Sequence, residues 1–251
     1  MENVRVIPVL LLKNYGLYKS VKFKDFKYVG DPINAIKIFN EKEVDELVFL
    51  DIQATVKKQA PDYQMLADIT SECFMPLCYG GGINSLQDIE RILYTGVEKV
   101  AINSAAFENP ALIEEAVKNF GSSTIVVSID VKKTLLSGPK VFTKSGKFNT
   151  KRNPIDFAKE MEALGAGELL VNSIDADGTM KGYDLELIEG ITKSVTIPVI
   201  ACGGAGSINH MNEVVNQANA SAVAAGSFFV FQGKHRAVLI TYPSKEMLTK
   251  V

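Results

Sequence analysis

Met75-Pro76-Leu77-Cys78-Tyr79-Gly80-Gly81-Gly82 aligns with Ile197-Pro198-Val199-Ile200-Ala201-Cys202-Gly203-Gly204, and the two stretches lie 122 residues apart, as Gly81 and Gly203 do. Each is an apolar run of strand length that ends in glycines. Glu46-Leu47-Val48 meets Glu168-Leu169-Leu170 at the same offset. A chain of 251 residues that repeats itself at about half its length reads as a duplicated half. Further apolar runs flank these at Val4–Leu12, Glu46–Ile52, Lys99–Asn103, Thr124–Asp130, Glu168–Ile174 and Ser221–Ala225. They are continuous rather than alternating, as parallel strands covered on both faces require. Helix starts fall between them: Asp31-Pro32, Asn109-Pro110 and Asn153-Pro154 each place a capping side chain before a proline that needs no N–H in the first turn. Ser85 with Asp88, and Ser207, read as further caps, and Gly96, Gly121 and Gly165 as helix stops. Eight strands alternating with eight helices predict an α/β fold, one (β/α)8 TIM barrel spanning residues 1–251 with a two-fold half-barrel repeat. An open doubly wound sheet is the alternative, but it predicts no such symmetry.

The chain is 47% apolar and 22% charged, with 27 Lys and Arg against 29 Asp and Glu. That near-balance excludes intrinsic disorder and argues against a nucleic-acid or anionic-membrane partner. Cys73, Cys78 and Cys202 form neither a disulfide framework nor a zinc spacing, so a reduced, cytoplasmic chain without a metal is expected. No apolar run approaches the ~18 residues of a membrane span.

Gly80-Gly81-Gly82 and Gly203-Gly204-Ala205-Gly206 each follow a strand and precede a capped helix. Glycine lets the backbone approach an anion, and a helix start offers free N–H groups. Asn103-Ser104 and Gly226-Ser227 match across the halves at the next strand ends. One such turn alone is a tight βα connection. Recurring in both halves, at the face where barrel sites form, the turns predict a ligand with a phosphate at each end.

From Val4 to Phe231 the chain resembles the cyclase subunit of imidazole glycerol phosphate synthase, of histidine biosynthesis. The resemblance rests on Asp45-Glu46-Leu47-Val48-Phe49-Leu50-Asp51-Ile52, the Gly80–Ile83 turn, Lys99 to Asn103, Phe142-Thr143-Lys144-Ser145-Gly146 and Ser173-Ile174-Asp175-Ala176-Asp177-Gly178-Thr179, continuing to Gly182-Tyr183-Asp184. The segment Lys132–Arg152 resembles the cyclase's hairpin insertion and disfavours the pathway's related isomerase barrel. The resemblance implies that a glutaminase docks on the N-terminal face and that ammonia travels up the barrel to a bisphosphorylated ribulosyl substrate. Arg5, Glu46, Lys99 and Glu168 would ring the lower mouth as an ammonia gate. Gly82, Asn103 and Ser104 would hold one phosphate, and Asp177, Gly178, Gly204, Gly226 and Ser227 would lie around the other. Lys19, in the loop after strand one, matches a family lysine over the site; no cofactor is implied.

The family uses two aspartates to move protons, at the ends of strands one and five. Asp130 holds the strand-five position, whereas its half-barrel counterpart on strand one is Leu11. Leucine transfers no proton, and losing a general acid or base costs about 10²–10⁴ in rate. No Asp or Glu lies between Arg5 and Lys24, so no slip restores the acid; Asp51 and Asp175 are the distant candidates to replace it. Two readings stay open. The chain is a divergent paralogue that keeps gate, phosphate turns and glutaminase dock and conducts ammonia for a separate amidotransferase, as cyclase-like paralogues do in amidation of bacterial surface sugars. Alternatively, it is a working cyclase acting through Asp130 and a recruited group. Leu11 favours the first, although phosphate turns would be expected to drift in a pure conduit.

Other signals are smaller. His210 and His235 read as solvated helix positions, Cys202 as small-residue packing, and Phe228-Phe229-Val230-Phe231 as barrel–helix packing. The basic stretch Lys132–Arg152 contains no Asp or Glu and reads as a solvated loop over the site.

Overall fold

A computed structural model describes residues 4–233, 235–248 and 251. Eight parallel strands close on themselves: β1 (Arg5–Lys13), β2 (Leu47–Asp51), β3 (Leu77–Gly80), β4 (Lys99–Ile102), β5 (Ile125–Thr134), β6 (Glu168–Ser173), β7 (Val199–Cys202) and β8 (Ala222–Ala225). Each pairs with its sequence neighbour, and β8 returns to β1 through Arg5 opposite Ala222 and Pro8 opposite Ala225. Closure removes both sheet edges and with them the doubly wound alternative.

Alternation along each strand sorts the side chains into two cores. On β1, Val6, Leu10 and Leu12 face outward into the large cluster shared with the helices. Ile7 and Val9 face inward, with Val48, Cys78, Ala101, Val126, Leu170, Ile200, Cys202, Ala222 and Ala224. That inner group packs into an apolar core along the barrel axis.

Seven helices of eight to eleven residues cover the outside: α1 (Pro32–Glu41), α2 (Tyr63–Glu72), α3 (Leu86–Tyr94), α4 (Ala111–Phe120), α5 (Pro154–Ala163), α6 (Leu185–Thr192) and α7 (Ile208–Ala218). Asp31, Ser85, Asn153 and Ser207 cap as read, each accepting from a backbone N–H in the first turn. Asn109 does not: it closes the short helix Ser104–Glu108, and α4 starts behind Pro110 with no side-chain cap. The expected eighth helix is also replaced. After β8 the described residues form two four-residue helices, Ser227–Val230 and Lys245–Leu248, and a small hairpin between them. Tyr242 stacks on Phe229 and donates to the Val6 carbonyl at 2.8 Å, fastening this segment to the barrel.

Both halves carry a hairpin above the barrel, and the sequence reading named only one. After β5, Gly138–Thr143 returns antiparallel along Asp130–Thr134 and pairs with Phe148–Asn149, so the basic stretch is ordered sheet rather than solvated loop. After β1, Gly16–Val21 folds back on Leu11–Lys13 and Lys24–Gly30 pairs with it. Lys19 therefore lies on a strand, not in a loop. Among the described residues no helix is long and apolar enough to cross a membrane.

Candidate functional site

The lower end of this inner core is ringed by charge. Arg5 opens β1, Glu46 precedes β2, Lys99 opens β4 and Glu168 opens β6. Arg5 bridges Glu46 and Glu168, and Lys99 bridges the same two carboxylates at 3.2 and 2.9 Å, so bases and acids alternate around a closed ring. Glu46 and Glu168 are buried, and burial opposes the charge of both bases while the flanking carboxylates hold their pKa values up.

The upper end opens into a cavity that gathers Leu11, Lys19, Gly82, Asn103, Ser104, Asp130, Asp177, Gly178, Gly204, Gly226 and Ser227. The β1 hairpin reaches across it: Lys22 N–H donates to the Asp177 carbonyl at 2.9 Å, and Phe23 lies against Gly146 of the other hairpin. Lys19 is thereby carried into the barrel mouth, 5% exposed, where its Nζ donates to the Val9 carbonyl at 2.8 Å and lies against Gly226. Burial pulls the pKa of this ammonium down.

Asp130 stands at the same mouth. Asn103 Nδ2 donates to the Ser128 carbonyl at 2.9 Å and lies 3.4 Å from Asp130 Oδ2, and Asn172 also hydrogen-bonds the carboxylate. Burial, then the neighbouring charge of Asp177, pushes Asp130 up to about 7, and the Asn172 hydrogen bond opposes the shift. Strand register identifies its counterpart. Asp130 pairs with Asn172 and Leu11 with Leu50, and Leu50 and Asn172 are 122 residues apart, the offset of the halves. A polar pair on β5 and β6 thus answers an apolar pair on β1 and β2.

At the first pair of glycine and serine turns, Gly82 N–H donates to Thr55 Oγ1 at 3.1 Å, and Ser104 Oγ accepts from Lys144 N–H at 3.1 Å. At the second, the Ser227 hydroxyl is buried without a partner among the described residues. Asp177 turns toward Ser20, whose Oγ donates to it at 3.0 Å, and toward Lys19; burial raises its pKa and Lys19 opposes that. Cys202 is buried and its thiol is pushed up to about 12, first by that burial, which suits packing and not nucleophilic attack.

Both distant acids are engaged by backbone N–H groups, Asp51 through one carboxylate oxygen. Asp51 lines the cavity, but its Oδ1 accepts from Gln53 and Ala54 N–H at 2.8 and 3.0 Å. Asp175 accepts from Lys133 N–H at 2.8 Å and pins the β5 hairpin. His210 is not simply solvated: its Nδ1 accepts from Gly206 N–H at 3.2 Å and braces the second glycine turn. His235 is exposed in a turn rather than a helix. Sequence reasoning passed over Asn172, Ser20, Thr55 and Ser145, all lining the cavity. Only Asn172 had a usable signal, since Glu168, Leu170 and Asn172 share the inward parity of β6.

The family described as Histidine biosynthesis protein matches residues 5–236. The chain belongs to that family. A protein of Pseudomonas aeruginosa provisionally named imidazole glycerol phosphate synthase subunit hisF2 is 54% identical over 248 residues, 99% of each chain. One of Vibrio vulnificus, provisionally named subunit hisF3, is 51% identical over 97% of this chain and 94% of its own. The imidazole glycerol phosphate synthase subunit HisF of Sulfurisphaera tokodaii is 47% identical over 91% of each. Within the histidine biosynthesis family the chain is thus a barrel of the HisF cyclase type.

Proposed function

We propose that this chain is the ammonia-receiving barrel of a glutamine-dependent synthase, in which it conducts ammonia and binds a bisphosphorylated ligand but does not close an imidazole ring. A glutaminase docks on the face of the charged ring, ammonia passes Arg5, Glu46, Lys99 and Glu168, and the apolar bore carries it to the upper mouth. A separate amidotransferase uses it there, on an acceptor such as a surface sugar. The carrying observation is Leu11, which lines the same cavity as Asp130 and stands at the half-barrel position where the reaction of HisF-type cyclases needs a second proton-transfer group.

The ring suits a gate because alternating charges satisfy one another while excluding bulk water. Neutral ammonia then enters an apolar bore that offers it no side-chain base. At the mouth, Gly82, Asn103 and Ser104 receive one phosphate, and Gly204, Gly226 and Ser227 the other. Gly178 frames that second end, and Lys19 supplies positive charge beside it. The partnerless Ser227 hydroxyl supports this reading, since a phosphate oxygen is the acceptor it lacks.

A second reading, a working cyclase, is favoured by one observation: Asp130, held near pH 7, can both give and take a proton under neutral conditions. The test is steady-state formation of imidazole glycerol phosphate by the purified chain from the ribulosyl bisphosphate substrate and excess ammonium salt. Ammonium bypasses the glutaminase, so the assay reports on the barrel alone. No turnover from folded protein that binds the bisphosphate is expected. Turnover within about tenfold of a cyclase with both aspartates returns the chain to histidine biosynthesis, because that loss is smaller than removing an acid or base should cause.

A further inference from the structure

We propose that Asn172 and Asp130 form a station that holds ammonia where the bore opens into the mouth. The inference rests on the conduit reading above and adds to it the place where the cargo stops. Above the ring, the side chains facing the axis are apolar or thiol up to Leu170 on β6, two residues below Asn172, except for the Ser128 hydroxyl on β5 at the register of Leu170. The main-chain acceptors at the top of the bore are already engaged: Val9 O by Lys19 Nζ at 2.8 Å and Ser128 O by Asn103 Nδ2 at 2.9 Å. Asn172 differs. It is 8% exposed, it stands opposite Asp130 in the β5–β6 register at the cavity wall, and its Oδ1 has no partner among the described residues. A buried amide oxygen without a donor marks a place where something outside the chain supplies the N–H or O–H.

Ammonia matches that acceptor in hydrogen-bonding valence. Two of its N–H groups serve Asn172 Oδ1 and the carboxylate of Asp130, and its lone pair stays uncommitted. With Asp130 ionised, as in alkaline buffer, no bond is made or broken and no proton moves. The half-barrel counterparts, Leu50 and Leu11, accept no hydrogen bond, so the station has one side only.

The experiment follows the side-chain carboxamide resonance of Asn172 in the full ¹⁵N-labelled chain. Ammonium chloride is titrated against sodium chloride in alkaline buffer, where neutral ammonia prevails. A saturable shift with ammonium alone is expected at the Asn172 carboxamide, and in Asn172→Leu the saturable response of the neighbouring Asn103 carboxamide should vanish. Equal responses to both salts, or a neighbour response that survives Asn172→Leu, overturn the station; if the leucine variant does not fold, Asn172→Ala is read in its place. Glycerol phosphate saturating the Asn172 resonance where ammonium does not would assign the free oxygen to a ligand hydroxyl and also overturn it. Inorganic phosphate in the same sample keeps the two ideas apart. Shifts at Ser104 and Ser227 without an ammonium response remove the station and leave the proposed function standing.

Discussion

Asp130 binds its proton more tightly in the folded chain than the ordinary carboxylate value of 3.8 allows, because burial and then Asp177 raise it to about 7. Between those values the native state holds a proton that the unfolded chain has released. The group's contribution to stability is therefore full below pH 3.8 and is lost as pH rises through about 7. Asp130→Asn should flatten that fall and exceed the parent above neutrality by on the order of 2 kcal/mol, read by thermal melts across pH. Leu11→Asp should raise imidazole glycerol phosphate formation by about 10²-fold or more. An unchanged rate means that the missing acid is not what silences ring closure. The Leu11–Asp130 correspondence spans 119 residues rather than 122, so it was legible through the family resemblance, and strand register then matched it by pairing Leu11 with Leu50 and Asp130 with Asn172. The burial of Lys19 was not, since it depends on a hairpin folding back over the mouth. Nor was the free oxygen of Asn172, which emerges only once every neighbouring donor has been assigned.

The glycine turns differ in what a methyl group would strike. At Gly204, with φ +110°, a Cβ would collide with the Gly182 carbonyl, so backbone must move. At Gly226 it would meet chiefly the flexible end of Lys19, with the Val9 carbonyl at 3.1 Å, in a backbone conformation any residue adopts. Gly204→Ala should therefore cost several kcal/mol, about 2–4, and abolish binding of a bisphosphate. Gly226→Ala should melt within a few degrees of the parent, while the displaced Lys19 ammonium weakens the ligand; calorimetry and ligand titration separate the two. Every strand of the barrel was legible to within a few residues, because both-face burial writes a continuous apolar run into each. The β1 hairpin was missed because most of Lys24–Gly30 is exposed and carries no apolar run, although aromatic residues alternate with lysine and aspartate through Asp25-Phe26-Lys27-Tyr28. The eighth helix failed for a different reason: Phe229 and Tyr242 cover the barrel by aromatic stacking, which leaves no helical period to read.

Across the whole molecule, one axis joins a charged floor, an apolar inner core and a polar roof, and the two faces carry different exposed groups. The ring is a single electrostatic unit. Lys99→Ala leaves two buried carboxylates to Arg5 alone, and should cost about 3 kcal/mol, the low end for a broken buried pair because a fifth of the Lys99 side chain meets water. Lys99→Met with Glu168→Leu, which leaves Arg5 and Glu46 paired, should recover most of that loss in denaturant titrations. The same face presents Phe74, ahead of β3, and Tyr94, the last residue of α3, at 85% and 93% exposure. Large aromatics are costly to leave in water, and on a face that surrounds the entrance to the bore they suit a protein partner. Phe74→Asp and Tyr94→Asp should each weaken binding of the cognate glutaminase at least about tenfold, some 1.4 kcal/mol, with no change in melting temperature or phosphate binding. Binding that survives both substitutions would place the dock away from the ring face, and ammonia would then have no reason to enter through Arg5, Glu46, Lys99 and Glu168.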